Sequence, residues 1–328
     1  MIITNLLQDT EKIISSEKLQ FAEDIETGLS STPKKIPSKY FYDNKGSKLF
    51  QKITLLEEYY VTRTEVSILE NIKRILPDIV NEPEVDIVEL GVGDGHKTKI
   101  IIDSFLEKNI KVNFFPIDIS NEALRMLEKN ILESDKLKIH GLVADYIEGM
   151  NFARIHSGNR QIVLFLGSNI GNFTKTDSQI ILRKIKTIMN PDDFLLIGFD
   201  LKKDVELLTH AYSDHEGVTA RFNLNILERI NLELGADFRL ENFKHLALYN
   251  PILGAMESYL LSQTEQAVTI STLKRTFSFE AFEPIHLEYS FKYLEKDIQE
   301  LSKKGGFTQI ANFSDNNKYY IDSLWQVH

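Results

Sequence analysis

The 328-residue chain has the composition of an ordinary globular protein, with 42% hydrophobic and 26% charged residues. At about 150 residues per domain, this length predicts two domains, or one large domain with an elaboration. No run approaches the roughly 18 consecutive apolar residues that a membrane span requires. The first residues lack a secretory signal pattern and the chain has no cysteine. We therefore expect a cytoplasmic protein without disulfides or thiolate metal sites.

The charge balance argues against a nucleic-acid partner. The chain has 38 Lys and Arg residues against 48 Asp and Glu residues, a net charge of −10, and its basic residues are scattered rather than grouped on one segment. The histidines lack metal-binding spacing, since His210 and His215 are not separated by the one helical turn that would place both on one face. We expect no nucleic-acid, membrane or metal partner.

The N-terminal part of the chain predicts helices and an irregular connection. Apolar residues recur at mostly helical intervals over residues 5–27, which predicts an amphipathic helical region. A Ser-, Thr- and Pro-rich connection follows over residues 30–38. The next segment, residues 39–63, is unusual for its four tyrosines around short helical pieces.

The central part of the chain alternates short apolar runs with helical stretches. A helix is predicted over residues 65–76, and further helices over 97–107, 121–130 and 175–189. The predicted strands are residues 86–90, 112–118, 138–144, 162–166 and 194–199. Such alternation indicates βαβ units and a parallel sheet with both faces buried. We therefore predict a doubly wound α/β domain.

The C-terminal part of the chain changes character. Two helices are predicted over residues 201–212 and 218–234, followed by the alternating stretches HLALYN, ESYLLS and RTFSFEAF. Alternation of this kind indicates antiparallel strands and a separate α+β lobe. The tail contains a helix that ends near Gly305 and two further strand-like stretches, which we expect to close the main sheet as a strand pair.

The first predicted strand runs into a Gly-rich turn, VELGVGDGHKTKII, where an open α/β sheet usually binds a nucleotide-like ligand. The dinucleotide pattern G-x-G-x-x-G fails, because His96 stands at the third glycine of the series that begins at Gly91. The phosphate-loop pattern matches at Gly91, Lys97 and Thr98 but also has His96 in place of a glycine. An ATP-binding loop remains the alternative of a different class.

Two further strands end in an aspartate, at Asp118 and Asp145, on the same sheet edge as the glycine turn. An acid at the second strand end suits the two hydroxyls of a ribose, and Asp145 with Tyr146 offers a polar contact and an aromatic face to adenine. Each aspartate alone is more often a turn or cap residue. With Gly91, the set favours a nucleoside ligand such as S-adenosylmethionine.

The fourth strand runs into the loop FLGSNIGNF, in which two glycines bracket polar residues. It differs from the nucleophile elbow G-x-S-x-G. The loop is either a contact to substrate or a Gly-rich turn followed by a helix cap at Asn172 or Thr174.

Six segments of the chain together resemble the histidine N-alpha-methyltransferases of the ergothioneine pathway. They occur in the same order over residues 39–293: KYFYDNKGSKLFQKITLLEEYYVTR, VELGVGDGHKTKII, FFPIDIS, FLGSNIGNF, AYSDHEGVTARFNLNIL and LEYSFKY. The resemblance implies a Rossmann-like class I methyltransferase domain at residues 63–200 and 290–328. It implies a discontinuous α+β substrate-binding lobe at residues 1–62 and 201–289.

The resemblance also implies a role for each matching residue. The expected S-adenosylmethionine contacts are Gly91, Lys97, Asp118, Asp145 and Tyr146. The amino-acid end of a histidine substrate is assigned to Tyr59, Asn172 and Tyr212, which are also the candidate catalytic residues. Its imidazole is assigned to Glu288 and Ser290, and Tyr42 and Phe50 line the same pocket. The expected reaction is methylation of the histidine α-amino group to trimethylhistidine; no oligomeric state is assigned.

Two departures from the family's pattern keep a second acceptor open. Asn169 stands where the family has threonine, and Ser258 where it has a methionine beside the imidazole. Both changes make the pocket more polar, so another amino acid or amine is the alternative acceptor. Residue by residue, Glu288 and Ser290 also fit an exposed polar strand face, and Tyr59 and Tyr212 fit packing aromatics.

Overall fold

The computed structural model describes residues 1–6 and 10–327, which form alternating strands and helices. The elements of the first half are β1 (Ile2–Asn5), α1 (Thr10–Ser30), β2 (Lys34–Lys35), α2 (Asn44–Thr54), α3 (Tyr60–Ile72), α4 (Leu76–Val80), β3 (Glu84–Leu90), α5 (His96–Glu107), β4 (Lys111–Asp118), α6 (Asn121–Asn130), β5 (Leu137–Val143), α7 (Tyr146–His156) and β6 (Arg160–Phe165).

The second half begins with a short 3₁₀ segment, Asn169–Asn172. Its helices and strands are α8 (Lys175–Ile188), β7 (Phe194–Asp200), α9 (Val205–Tyr212), α10 (Val218–Leu234), β8 (Phe243–Asn250), β9 (Ala255–Ser262), β10 (Gln266–Ile270), β11 (Arg275–Phe279), β12 (Pro284–Phe291), α11 (Glu295–Gly305), β13 (Thr308–Ser314) and β14 (Tyr320–Gln326).

The chain divides into two units, each made of separate stretches. The first unit contains β1, Val61–Lys202 and the C-terminal part from Phe291. The second contains α1, the residues that follow it to Tyr60, and Lys203–Ser290.

The first unit is built on an eight-stranded sheet with the order β1-β5-β4-β3-β6-β7-β14-β13. The six strands from β1 to β7 are parallel, while β14 runs antiparallel to both β7 and β13. Strand order reverses between β3 and β6, where a ligand crevice forms in such sheets. The predicted doubly wound α/β fold and the closing strand pair are both confirmed.

The apolar runs of the sequence become the buried centre of this sheet. All seven residues of β7 are buried, as are six of the seven in β3, because helices cover both faces of a parallel sheet. On one face, Met150 and Ala153 of α7 pack in the same core as Val163 and Phe165 of β6. This core holds the carboxyl ends of the strands in place.

The second unit has its own sheet and its own core. The strand order is β2-β12-β9-β8, and a separate hairpin pairs β10 with β11. Helix α10 supplies Phe222, Ile226 and Ile230 to the core, which also contains Leu260 of β9 and Ile285 of β12. The predicted alternating stretches therefore form antiparallel strands whose apolar residues face a helix.

The five predicted strands of the first unit begin and end within two residues of the observed ones. The helix expected over residues 5–27 is observed as α1 from Thr10, whereas Asn5, its first predicted residue, is the last residue of β1. Residues 2–5, assigned to the smaller lobe, pair with residues 140–143 of β5 in the sheet of the first unit. The intervening residues 7–9 of that predicted helix lie outside the described part of the chain. Helix α7 was not predicted. The helix expected at 65–76 is confirmed over residues 65–72 as part of α3, which starts earlier and ends at Ile72, and Leu76 begins the separate helix α4.

Candidate functional site

The turn after β3 requires glycine at Gly91. This residue has a φ of 78° and its N–H donates a 2.9 Å hydrogen bond to the carbonyl of Ile117, at the end of β4. A β-carbon on Gly91 would lie 3.1 Å from both Asn169 Nδ2 and the Tyr146 hydroxyl. At Gly93, in contrast, a β-carbon would have no neighbour within 4 Å. The turn is therefore packed at its base and open at its tip.

Asp118, the last residue of β4, faces this turn. Its carboxylate accepts a 2.8 Å hydrogen bond from the N–H of Ser120. Burial raises the pKa of Asp118 to about 6, although the backbone N–H groups of Ser120, Gly93 and Val92 oppose the rise. An acid held in this way can accept hydrogen bonds from ligand hydroxyls at neutral pH.

Asp145 and Tyr146 begin α7 at the end of the next strand. One oxygen of Asp145 accepts from the N–H groups of Ile147 and Glu148, both at 2.9 Å, so the residue caps the helix. The ring of Tyr146 packs edge-on against Phe165 at 5.5 Å, and burial, followed by the charge of Asp118, raises its pKa. The cap interpretation of Asp145 is thus confirmed, and it leaves the carboxylate at the sheet edge.

Lys97, in the first turn of α5, is paired with an acid of α3. Its Nζ lies 2.6 Å from Glu65 Oε2. Burial works against the charged form of Lys97, but Glu65, Glu89 and Asp322 together outweigh it and raise the pKa of the amine. A β-carbon on Gly167 would lie 3.1 Å from the same Nζ. Lys97 therefore stays protonated beside the turn that follows β6.

Glu65 is the residue of this edge that sequence reasoning missed. It is fully buried, and its carboxylate also accepts from the Gly167 N–H at 2.7 Å and from the Tyr320 hydroxyl at 2.7 Å. The sequence does contain one indication of its burial: Glu65 lies on the apolar face of α3, one helical turn from Val61 and Ile68, both of which are buried. A charge at such a position is maintained only with buried partners.

The polar residues of the loop after β6 have three different environments. Thr174, not Asn172, caps α8, since its hydroxyl accepts from the Asp177 N–H at 3.2 Å. Asn172 ends the 3₁₀ segment and is exposed. Asn169, one of the two departures, lies with its amide against Gly91 at the glycine turn. The loop thus combines a helix cap with an exposed amide that is available to a ligand.

The aromatic residues assigned to the substrate form a continuous series within the second unit. Tyr42 packs edge-on against Phe50 at 5.6 Å, Phe50 against Tyr59 at 6.3 Å, and Tyr59 against Tyr212 at 6.4 Å. Phe222 of α10 contacts both Tyr42 and Phe50. Edge-on geometry of this kind is favourable between aromatic rings. The structure therefore brings Tyr212 against three aromatic residues from a single segment near the start of the chain.

The series ends at the strand assigned to the imidazole. The Tyr212 hydroxyl donates a 2.7 Å hydrogen bond to Ser290 Oγ, and Glu288 lies two residues earlier in β12. Ser290 is 6% exposed and Glu288 is half-buried. The regular alternation expected of this strand is interrupted, because the rings of His286 and Tyr289 are 4.1 Å apart. Spacing alone therefore does not determine the faces of Glu288 and Ser290.

The second departure from the family's pattern lies in the adjacent strand. Ser258 of β9 is 3% exposed and stands opposite Ala247 of β8. Both side chains are small, and Ser258 places a buried hydroxyl group where a methionine would place a longer apolar side chain.

The described residues contain no group of three or more His, Cys, Asp and Glu side chains that could hold a metal ion. No helix in the described part of the chain combines the length and the apolar character needed to cross a membrane.

The sheet order is that of a doubly wound α/β fold, and the chain is an S-adenosylmethionine-dependent methyltransferase. The chain belongs to the family of S-adenosylmethionine-dependent, histidine-specific methyltransferases, which it matches over residues 21–327.

Three relatives illustrate this membership. The chain is 37% identical over 293 residues to the histidine N-alpha-methyltransferase of Mycolicibacterium smegmatis, covering 89% of this chain and 90% of that protein. It is 35% identical over 299 residues to the histidine N-alpha-methyltransferase of Mycobacterium tuberculosis, covering 90% and 92%. It is 29% identical over 328 residues to ergothioneine biosynthesis protein 1 of Schizosaccharomyces pombe, covering 96% of this chain but 42% of that protein.

Proposed function

We propose that this enzyme transfers methyl groups from S-adenosylmethionine to the α-amino group of free L-histidine, three times, to give trimethylhistidine. The observation that carries the proposal is the Tyr212–Ser290 hydrogen bond, which joins the aromatic series of the second unit to β12, the strand that also contains Glu288. Two relatives that bear the name histidine N-alpha-methyltransferase support the same acceptor.

The first unit is proposed to hold the methyl donor. Asp118 would accept the ribose hydroxyls, Asp145 and Tyr146 would contact the adenine, and Gly91 would let the ligand approach the backbone. Lys97, kept protonated by Glu65, would meet the carboxylate of the methionine part. The open tip of the turn at Gly93 fits a ligand at this edge. When bound, S-adenosylmethionine supplies a sulfonium methyl group to a neutral amine.

The second unit is proposed to hold the imidazole. Glu288 would accept the ring N–H, and Ser290, oriented by Tyr212, would contact the other ring nitrogen. A site built to hydrogen-bond its substrate rejects analogues that lack the matching groups. An indole offers one N–H and no second nitrogen, so this pair favours histidine over tryptophan.

The amino-acid end is assigned to Tyr59, Tyr212 and Asn172. An amide such as Asn172 donates to a carboxylate and accepts from an amine, which suits an α-amino acid. The phenol groups orient the amine so that its lone pair is available, and the proton released before each further methylation leaves to water. Through the similarity to ergothioneine biosynthesis protein 1, we place the trimethylated product in ergothioneine biosynthesis.

The test of the acceptor is mass spectrometry after incubation with methyl donor and each common amino acid separately. We expect additions of one, two and three methyl groups on histidine and none on tryptophan or phenylalanine. Methylation of another amino acid with none on histidine would overturn the acceptor while leaving the enzyme class intact.

The test of the residue assignment is calorimetry with Glu288→Ala. Loss of a hydrogen bond to a charged group weakens binding by roughly 10- to 100-fold, so the histidine Kd rises while the S-adenosylhomocysteine Kd is unchanged. Glu283→Ala, in the turn before β12, is the control. Equal weakening of both ligands would contradict the assignment.

A further inference from the structure

Helix α10 has three buried polar side chains that the roles assigned above leave unexplained. Thr219, Asn223 and Asn225 are each 5% exposed or less, within a helix that also packs Phe222 and Ile226 into the core of the second unit. Buried polar groups are costly unless they are hydrogen-bonded. The partners of the two asparagines therefore indicate what the helix holds in place, and Asn225 donates to Asp43 at 2.8 Å.

The partner of Asn223 is His245, on strand β8. Asn223 Nδ2 lies 3.0 Å from His245 Nδ1, and His245 Nε2 lies 2.9 Å from the carbonyl oxygen of Tyr212. A carbonyl can only accept, so Nε2 carries the hydrogen and Nδ1 accepts from the amide. Both ring nitrogens are satisfied by the neutral imidazole.

The Tyr212 carbonyl that accepts from His245 lies at the end of a helix. Tyr212 is the last residue of α9, where backbone carbonyls have no partner within the helix. Just beyond it, Asp214 accepts from the N–H groups of Val218 and Thr219, at 2.8 and 2.7 Å, and thereby begins α10. His245 and Asp214 together anchor the connection between the two helices on either side of Ser213.

The charge state of His245 agrees with this structural role. Burial lowers its pKa, against the opposing effects of the Tyr212 carbonyl and Asp214. A neutral ring matches the two hydrogen bonds, of which it donates one and accepts the other.

We propose that His245, oriented by Asn223, is a positioning residue that holds Tyr212 in the orientation in which its hydroxyl meets Ser290. The role rests on the proposed function, because Tyr212 is assigned to the substrate there. His245 acts through the main chain of Tyr212 and is not itself a catalytic residue. No feature of the sequence pattern linked position 245 to position 212.

The experiment compares His245→Gln with His245→Met. The two side chains have the same length, but only glutamine carries an N–H where the imidazole has Nε2–H. Titration calorimetry measures histidine binding in the presence of S-adenosylhomocysteine, and S-adenosylhomocysteine binding alone. Hydrogen exchange of residues 205–217 reports the anchoring of the connection directly, without any substrate.

His245→Met is expected to raise the histidine Kd about tenfold, as for an unsatisfied buried carbonyl, and to speed exchange over residues 205–217. His245→Gln is expected to stay within about threefold of the wild type in both readouts. The S-adenosylhomocysteine Kd is expected to be unchanged in both variants. In a Tyr212→Phe background the effect of His245→Met on histidine binding is expected to shrink, because the two act on one contact.

The matched control is Asn231→Ala, on the same helix. Asn231 makes two hydrogen bonds to the main chain of Phe238, at 2.8 and 2.9 Å, away from Tyr212. This variant is expected to lower thermal stability without affecting histidine binding or exchange over residues 205–217.

Equal behaviour of the Gln and Met variants, or equal loss of histidine binding in Asn231→Ala, would overturn the proposal. If the wild type binds S-adenosylhomocysteine but not histidine, the proposed function fails. Hydrogen exchange over residues 205–217 then tests the role of His245 by itself. Faster exchange in His245→Met but not in His245→Gln supports the role, and identical exchange in the wild type and both variants rejects it.

Discussion

The hydroxyl group of Tyr212 donates a 2.7 Å hydrogen bond to Ser290, which is 78 positions further along the chain. The contact connects the end of α9 with strand β12 inside the second unit. It links a residue assigned to the amino-acid end of the substrate with one assigned to its imidazole.

Removal of this hydroxyl group tests the contact. Tyr212→Phe is expected to raise the KM for histidine by roughly 3- to 10-fold, the value of one neutral hydrogen bond, with an unchanged S-adenosylhomocysteine Kd. Steady-state kinetics and calorimetry provide the two readouts. Tyr40→Phe removes a phenol hydrogen bond to Asp24 in the same unit and serves as the control. A similar rise in that variant would show that the effect on KM is a general loss of stability.

The pKa of Asp118 predicts how cofactor binding depends on pH. Burial raises this pKa to about 6, so the carboxyl group is protonated below that pH and loses an acceptor for ligand hydroxyls. Affinity for S-adenosylhomocysteine is therefore expected to increase from pH 5 to pH 7 and then level off. Calorimetry across this range measures it.

Asp118→Asn is expected to bind weakly at every pH, without that increase, while Asp103→Asn, on the exposed face of α5, is expected to follow the wild type. A pH profile that persists unchanged in Asp118→Asn would assign the titration to another group.

Glu65 is predicted to be essential for the stability of the first unit. Glu65→Ala leaves the Lys97 ammonium, the Gly167 N–H and the Tyr320 hydroxyl without their buried acceptor. Breaking one side of a buried ion pair typically costs about 3–5 kcal/mol of unfolding free energy. Denaturant unfolding measures the loss. Glu70→Ala, on the exposed face of the same helix, is expected to change it by less than about 0.5 kcal/mol. A small loss in Glu65→Ala would mean that Lys97 is held by other groups.

Glu89 predicts a pH-dependent component of stability. Burial raises its folded-state pKa to about 8, although its Thr98 hydrogen bond opposes the rise. The native protein therefore keeps a proton that the unfolded chain has released, and the unfolding free energy contributed by this group falls as pH rises from about 5 to about 8.

Glu89→Gln stays neutral throughout, so its stability relative to the wild type is expected to increase over the same range. Thermal unfolding at pH 5.5, 7 and 8.5 measures the difference. Parallel curves for the two proteins would show that Glu89 is ionised in the native state.

The strands of the first unit could be predicted because each one is a continuous apolar run. Because both faces of a parallel sheet are covered, almost all residues of β3 and β7 are buried, and the two strands can be distinguished in the sequence from the polar loops that follow them. The same reasoning placed Gly91, Asp118 and Asp145 on one edge, since parallel strands all end on the same side. Helix α7 was missed, although a cap was among the interpretations of Asp145, which precedes its first residue.

The elements that escaped prediction depend on distant partners. Strand β1 has four residues, and only its pairing with β5, more than 130 positions away, makes it a strand. The Glu65 carboxylate accepts hydrogen bonds from Gly167 and Tyr320, which lie 102 and 255 positions away in the sequence. Local periodicity contains no information on such contacts.

The sequence by itself determined the fold class, the carboxyl-edge position of the glycine turn and its acids, and the similarity to one methyltransferase family. These depend on runs, spacings and motifs that are local. Only the tertiary structure decided that Tyr42, Phe50, Tyr59 and Tyr212 form one series that ends at Ser290, and that His245 holds Tyr212 by its backbone. The reason is physical: hydrogen-bond and ring partners are selected by the packing of helices and strands around a shared core, and that packing is defined only when the whole unit is folded.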